Sequence, residues 1–214
     1  MKTAIYIFGA GGMGRETYCL INDLPQYEVI AFVEQDNADI SSINVTVAGK
    51  IVEIITESQF AEICSQNKDI SAVIGIGIPQ VRRKIAEKFS IFCNFPNIIH
   101  PSATLAGAVQ SGHGNLVMHN CVFTENIELC NFNLFNISAI ITHDCKIGNY
   151  NVFLPSCNVS GSVTVGDSNL IGSNAFIIEK TTIGANNIIG AGSVVLKNIG
   201  NSTTWVGNPA KRIK

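Results

Sequence analysis

Few side chains in this sequence combine a reactive type with a telling spacing. His113, His119 and His143 recur within one stretch, and His143 is followed at once by Asp144. An imidazole exchanges a proton near neutral pH, so it can act as general base toward a nucleophile that must lose one. A neighbouring carboxylate stabilises the imidazolium and sets the tautomer. The second candidate is Gly9-Ala10-Gly11-Gly12-Met13-Gly14, which fits G-x-G-x-x-G, with Glu34 twenty residues beyond Gly14. Such glycines let backbone N–H groups approach a phosphate at a helix N-terminus, and an acid at that distance meets a ribose.

The elements that must position these groups differ along the chain. Residues 3 to 8 read as a buried strand, the glycine loop follows, and a helix pattern runs from Arg15 to Leu24 before a strand from Glu28 to Val33. After a polar loop from Gln35 to Val47, the pattern predicts a helix over Glu57 to Gln66 and a buried strand over Ile70 to Ile76, ending at Gly77. Pro79 then opens a helix with Val81, Ile85 and Phe89 on one face and Arg82, Arg83 and Lys84 on the others, Arg82 being either a phosphate ligand or part of a solvated face. This is a small parallel α/β unit. It is too short for the second mononucleotide half of a dinucleotide site, so a nucleotide or nucleotide-sugar is expected in place of NAD, contacted by Gly11, Met13, Gly14, Arg15, Glu34 and Gly77.

From Ile99 onward the sequence repeats every six residues. Stepping by six from Ile99 to Val195 gives seventeen positions, sixteen of them apolar and Ser111 the exception. Four residues further on in each hexad stands a mostly compact residue, such as Ala139, Cys145 or Asn151. Neither helical nor simple strand periodicity sustains such a pattern, and a fixed short period marks a solenoid whose repeats bury their apolar side by stacking. Three hexads make a triangular coil of eighteen residues, and both stations face the interior. Glycine at the second hexad position (Gly148, Gly166, Gly172, Gly184, Gly190) is expected to ease the corners. His143 then falls at a corner, with Glu125 one coil to one side and Gly161 one coil to the other. Cys121, Cys145 and Cys157 fall at interior stations, so they are core residues and no thiol nucleophile stands beside His143.

Composition narrows the function further. The 214 residues carry a net charge of −2 with only 14% charged residues, which excludes a nucleic-acid partner built on clustered Lys and Arg. The short apolar run at the start reaches a glycine loop and charges too soon for a signal peptide or a membrane span, so a cytoplasmic location without membrane insertion is expected. Prism faces this poor in charge call for a partner subunit.

The segments FGAGGMGRE, GIGIPQVRRKI, HPSA, the HDC triplet at His143 and the closing VGNPAKRIK resemble the bacterial sialic-acid O-acetyltransferase and nucleotide-amino-sugar N-acetyltransferase family. The resemblance implies a Rossmann-like α/β domain over residues 1–97 and a left-handed parallel β-helix over residues 98–214, the handedness coming from the resemblance alone. It implies a homotrimer with acetyl-CoA between neighbouring prisms, His143 as general base and Asp144 as its tuning acid. The positions that meet the thioester end of CoA fall on Gly161, Ser173 and Ala191. A protonated amine cannot attack a thioester, so such a base fits direct acetyl transfer to an amino sugar for surface glycan synthesis, with O-acetylation of a sialic or related acid as the alternative. Two departures from the family pattern stand out: Val152 replaces a second histidine nine residues after the base, and Gly77-Ile78-Pro79 replaces Gly-Asn-Asn. A zinc site of the carbonic-anhydrase kind would need three converging imidazoles. His113 and His119 lie thirty and twenty-four residues from His143, neither a multiple of eighteen, so no metal is expected.

Overall fold

The structure, a computed structural model, describes residues 2–38, 44–67 and 69–214. The first half is a five-stranded sheet of order β3-β4-β2-β1-β5, with β1 (Thr3–Phe8), β2 (Tyr27–Glu34), β3 (Asn44–Val47), β4 (Lys50–Thr56) and β5 (Ser71–Ile74). Helices α1 (Gly12–Asn22), α2 (Glu57–Gln66) and α3 (Pro79–Phe89) connect them. The β1, β2 and β5 strands are parallel, as their buried runs require. The expected polar loop over Gln35 to Val47 is corrected in part. Its end forms β3, paired antiparallel with β4 through a tight turn in which Ala48 and Gly49 take φ of 48° and 75°, while residues 39–43 lie outside the described residues. The expected wholly parallel sheet therefore carries an antiparallel edge hairpin. The α2 helix begins on a capping box, with Thr56 Oγ1 accepting from the Gln59 amide and Gln59 Oε1 accepting from the Thr56 amide.

The second half is a three-sided parallel β-helix. Phe123, Ile141, Val159, Ile177 and Val195 pair in register along one face, each eighteen residues after the last. The two inward stations form one continuous core, in which Phe135 and Phe153 stack at 4.8 Å. Leu105, expected inside, is 44% exposed because its strand ends its sheet, with no further coil beneath it among the described residues. One interior edge carries a ladder of Asn115, Asn133, Asn151, Asn169 and Asn187, in which each of the first four side-chain oxygens accepts both the backbone and the side-chain amide of the next and the Asn187 oxygen accepts from the Thr203 amide and hydroxyl. Stacked amides satisfy one another, so five buried polar residues enter the core without orphaned groups.

The glycine expectation is corrected. Gly148, Gly166 and Gly184 have no positive φ, and a Cβ on Gly148 or Gly166 would come within 2.9 Å of the backbone of the coil above. They permit close stacking. Turning is done two positions later by Tyr150, Ser168 and Asn186 in the left-handed region, and at an adjacent corner by Asn126, Asp144, Ser162 and Lys180, all with φ between 53° and 60°.

No linker separates the halves. Leu116, Leu134 and Val152, on one outer face of the prism, pack with Ile5, Ile7, Leu20 and Val73 of the sheet and helix layer. Phe132 packs edge-on to Phe95 at 5.3 Å within the aromatic cluster around Phe8, Phe60 and Phe89. Burial of each such side chain contributes roughly 1.5–3 kcal/mol, so the seam is rigid. No helix among the described residues is long and apolar enough to cross a membrane.

Candidate active site

The corner at His143 is a column. The amides of Asp144, Ser162 and Lys180 donate to the carbonyls of Glu125, His143 and Gly161, so successive coils stack directly. His143 Nδ1 lies 2.9 Å from Asp144 Oδ2, and Asn126 Nδ2 donates to Asp144 Oδ1 at 2.6 Å. The Asn126 amide first, and His143 second, hold the Asp144 carboxyl below the usual carboxylate range. The imidazole lies over Gly161, whose Cβ, if it had one, would sit 2.6 Å from Nε2. His143 is 60% exposed, and among the described residues nothing hydrogen-bonds its Nε2. This is an imidazole with a fixed inner nitrogen and an open outer one. Cys145 is fully buried and its thiol donates inward to the Ser160 carbonyl at 3.2 Å, so it supplies no nucleophile. Cys121 and Cys157 are also fully buried, and burial pushes their thiols up to about 11 and about 12.

Ser173 and Ala191 stack on one another, the Gly192 amide donating to the Ser173 carbonyl. Twelve residues separate Gly161 from Ser173, two thirds of a coil, so within one chain the pair occupies a different corner from His143.

The glycine loop leaves β1 at Gly9, and α1 starts at Gly12 with no side-chain cap. Its first N–H groups are therefore unsatisfied from within the helix and suited to an anion. Glu34 Oε1 accepts the Ala10 amide at 2.6 Å, tying the acid to the loop. Gly11 and Gly12 are exposed with open space where a Cβ would go. Gly14 differs: a Cβ there would fall on the Gly9 carbonyl, so this glycine holds helix to strand and is not a contact surface. Arg15 is exposed, Met13 meets the Asn136 amide through its sulfur at 3.7 Å, and Gly77 lies half-buried beyond β5 with open space where a Cβ would go. A groove lined by Gly12, Arg15, Cys19, His119 and Ile137 runs between α1 and the corner that carries Ser173 and Ala191 higher up.

Both readings of Arg82 are overturned. The side chain is fully buried, its guanidinium donating to the carbonyls of Ile74 (2.7 Å), Ile76 (3.1 Å), Phe132 (3.0 Å) and Asn133 (3.4 Å). Burial pulls it down to about 9, which leaves it charged at neutral pH. It clamps the sheet to the prism. Val152 is likewise fully buried in the seam, so a side chain at this position points away from the open corners.

The histidines separate as their spacing requires. His113 packs edge-on to Phe132 at 5.0 Å. His119 stacks on His100 at 3.6 Å, and the Nε2 atoms of His100 and His119 lie 3.3 and 3.8 Å from Asp23 Oδ2. Three donors this close suggest a metal site, but the Ser102 amide donates to His100 Nδ1 at 3.0 Å. That bond leaves the His100 proton on Nε2, directed at Asp23, and no lone pair for an ion there. Sequence reasoning missed Asn126, although it lies eighteen residues before Asp144. It also missed Asp23, which only the packing of α1 brings to the prism.

Residues 4–89 match the PglD N-terminal domain and residues 162–197 match the bacterial transferase hexapeptide (six repeats). No curated protein matches the sequence. Among solved structures, PerB from Caulobacter crescentus in complex with CoA and GDP-perosamine is 27% identical, with 99% of this chain and 97% of that one covered and a TM-score of 0.86. A histidine-to-alanine mutant of GDP-perosamine N-acetyl transferase from the same organism gives 26%, 99%, 97% and 0.87. The acetyltransferase domain of PglB from Neisseria gonorrhoeae, in complex with acetyl coenzyme A, gives 26%, all of both chains and 0.85. The chain thus carries a PglD N-terminal domain followed by bacterial transferase hexapeptide repeats, and over nearly its whole length it is similar to CoA-binding acetyltransferases, one of which acts on GDP-perosamine.

Proposed function

We propose that this protein is an acetyl-CoA-dependent N-acetyltransferase acting on the amino group of a nucleotide-linked amino sugar, in the cytoplasmic assembly of a surface glycan. The observation that carries this reading is the His143 corner: an imidazole anchored to Asp144 through Nδ1, with Nε2 open above a residue that has no side chain. Nε2 takes the proton from the amine as it attacks the thioester, and Asp144 stabilises the imidazolium that forms. Transfer is direct, within a ternary complex, and no metal takes part.

Residues 1–97 hold the nucleotide part, its phosphates on the open N-terminus of α1 beside Arg15 and its ribose near Glu34; Gly11, Met13 and Gly77 line the approach. Gly14 shapes that loop from behind. Residues 98–214 hold acetyl-CoA through Gly161, Ser173 and Ala191. The charge at the end of the prism supports this: residues 176–214 carry Lys180, Lys197, Lys211, Arg212 and Lys214 against Glu179 alone, a match for the CoA phosphates in a chain of net charge −2.

A homotrimer completes the site. His143 and Ser173 stand at opposite edges of one prism face, whose outward residues from Thr104 to Leu196 include Val122, Ile140, Phe176 and Ile178 and no charge. The neighbouring free face carries the Lys146–Glu128 ion pair at 2.9 Å. Packing three prisms through uncharged faces brings the His143 corner of one copy toward the Ser173 corner of another.

Incubation with acetyl-CoA and a panel of UDP-, dTDP-, GDP- and CMP-linked amino sugars, read by free-thiol release, tests the reading. No turnover on any amino sugar would sink it, and turnover on a sialic acid alone, added to the same panel, would replace it with O-acetylation.

A further inference from the structure

We propose that Asn126 is a positioning residue for His143: it holds the Asp144 carboxylate so that the imidazole keeps its proton on Nδ1 and presents an unprotonated Nε2. The inference rests on His143 being the base. Asn126 sits eighteen residues before Asp144, one coil along the same corner, and both residues turn that corner in the left-handed region, at φ of 53° and 59°. Asn and Asp tolerate this conformation, so the chain can place an amide against a carboxylate at two stacked corners with little strain.

The bonding is complementary. A carboxylate only accepts, so the Asn126 amide must present its NH₂, and it does so at 2.6 Å from Asp144 Oδ1. The other oxygen, Oδ2, is left to accept from His143 Nδ1 at 2.9 Å. With one oxygen pinned, the carboxylate cannot turn its second oxygen away from the imidazole without breaking the first bond. This matters because the corner is open: the His143 and Asp144 side chains are 60% and 50% exposed, and among the described residues no other side chain bonds either of them. In water, neutral imidazole favours the proton on Nε2, the form in which the outward nitrogen has no lone pair to offer. Free rotation of Asp144 would return His143 toward that inactive form.

Two variants remove the donor in different ways. Asn126→Gly deletes the amide at a backbone angle that glycine accepts readily, and Asn126→Asp keeps the shape while replacing the donor with an acceptor. In the resting protein, ¹⁵N NMR of the His143 ring at a pH where it is neutral should show Nδ1–H in the wild type and a shift toward Nε2–H in both variants. The kcat should fall about tenfold with KM for both substrates nearly unchanged, less than the loss caused by removing an orienting acid itself. An unshifted tautomer, or a lower kcat without the shift, would overturn the inference. If the tautomer shifts but His143→Ala retains turnover, the base assignment fails and the positioning by Asn126 stands.

Discussion

Two places in this molecule bring imidazole and carboxylate together. At the domain seam, His100 is only 11% exposed, its Nδ1 accepts from Ser102, its Nε2 faces Asp23, and His119 lies flat against it. At the prism corner, His143 has the same kind of acid partner, but its ring stands over Gly161 with Nε2 unengaged. The same residue types thus make a fastening in one place and, in the other, an open imidazole that we propose as the base. What separates them is whether the second ring nitrogen is spoken for.

The contrast is most sharply tested by removing each imidazole. His143→Ala should lower kcat by about 10² to 10⁴, the contribution of a positioned base, with CoA affinity within a few-fold, whereas His119→Ala should leave kcat within a few-fold. Equal losses would erase the distinction. Arg82→Met should then mark the seam as structural: it strips the donor from four buried carbonyls and should cost about 3 kcal/mol or more in denaturant unfolding. An unchanged midpoint would show that the clamp is dispensable.

Gly161→Ala would put a methyl group where the imidazole lies, and displacing a base by about 1 Å costs on the order of 10² in rate. An alanine enzyme with native turnover would mean that His143 works from another rotamer. Gly12→Asp places a negative charge in open space at the α1 N-terminus and should raise KM for the nucleotide-sugar several-fold while sparing that for acetyl-CoA. Equal effects on both would move the nucleotide elsewhere. Gly14 is unsuited to this test, because a side chain there separates helix from strand.

The smallest effect concerns acid. Asp144 is held below its ordinary range, by Asn126 first and His143 second, so its ionised form is favoured by folding. Its contribution is present above the unfolded carboxylate value and is lost as pH falls through the depressed folded one. Melting curves of wild type and Asp144→Asn should converge in that acid window and differ slightly at neutral pH. A gap that widens on acidification would refute the linkage.

Much of this was legible in the sequence, because a period is local information. The six-residue step put the apolar stations inside, carried Cys145 into the core, and stacked Gly161 on His143 by counting eighteen. The glycine loop could be placed because strand, turn, helix and acid follow within one βαβ unit. Arg82 could not be assigned, because a helix pattern says which residues share a face but not what that face meets. Only the docking of α3 against the prism turned an exposed-looking arginine into a buried clamp. The corner glycines were misread for a related reason: their constraint comes from the backbone of the next coil, a contact across the stack and not along the chain. The seam of Asp23, His100 and His119 joins residues up to 96 positions apart, and no spacing rule connects them. Sequence alone determined the repeat and hence the stacked corner of His143, since each coil is built from its own neighbours. Tertiary structure decided which histidines remain free, since that depends on what the other half of the chain packs against them.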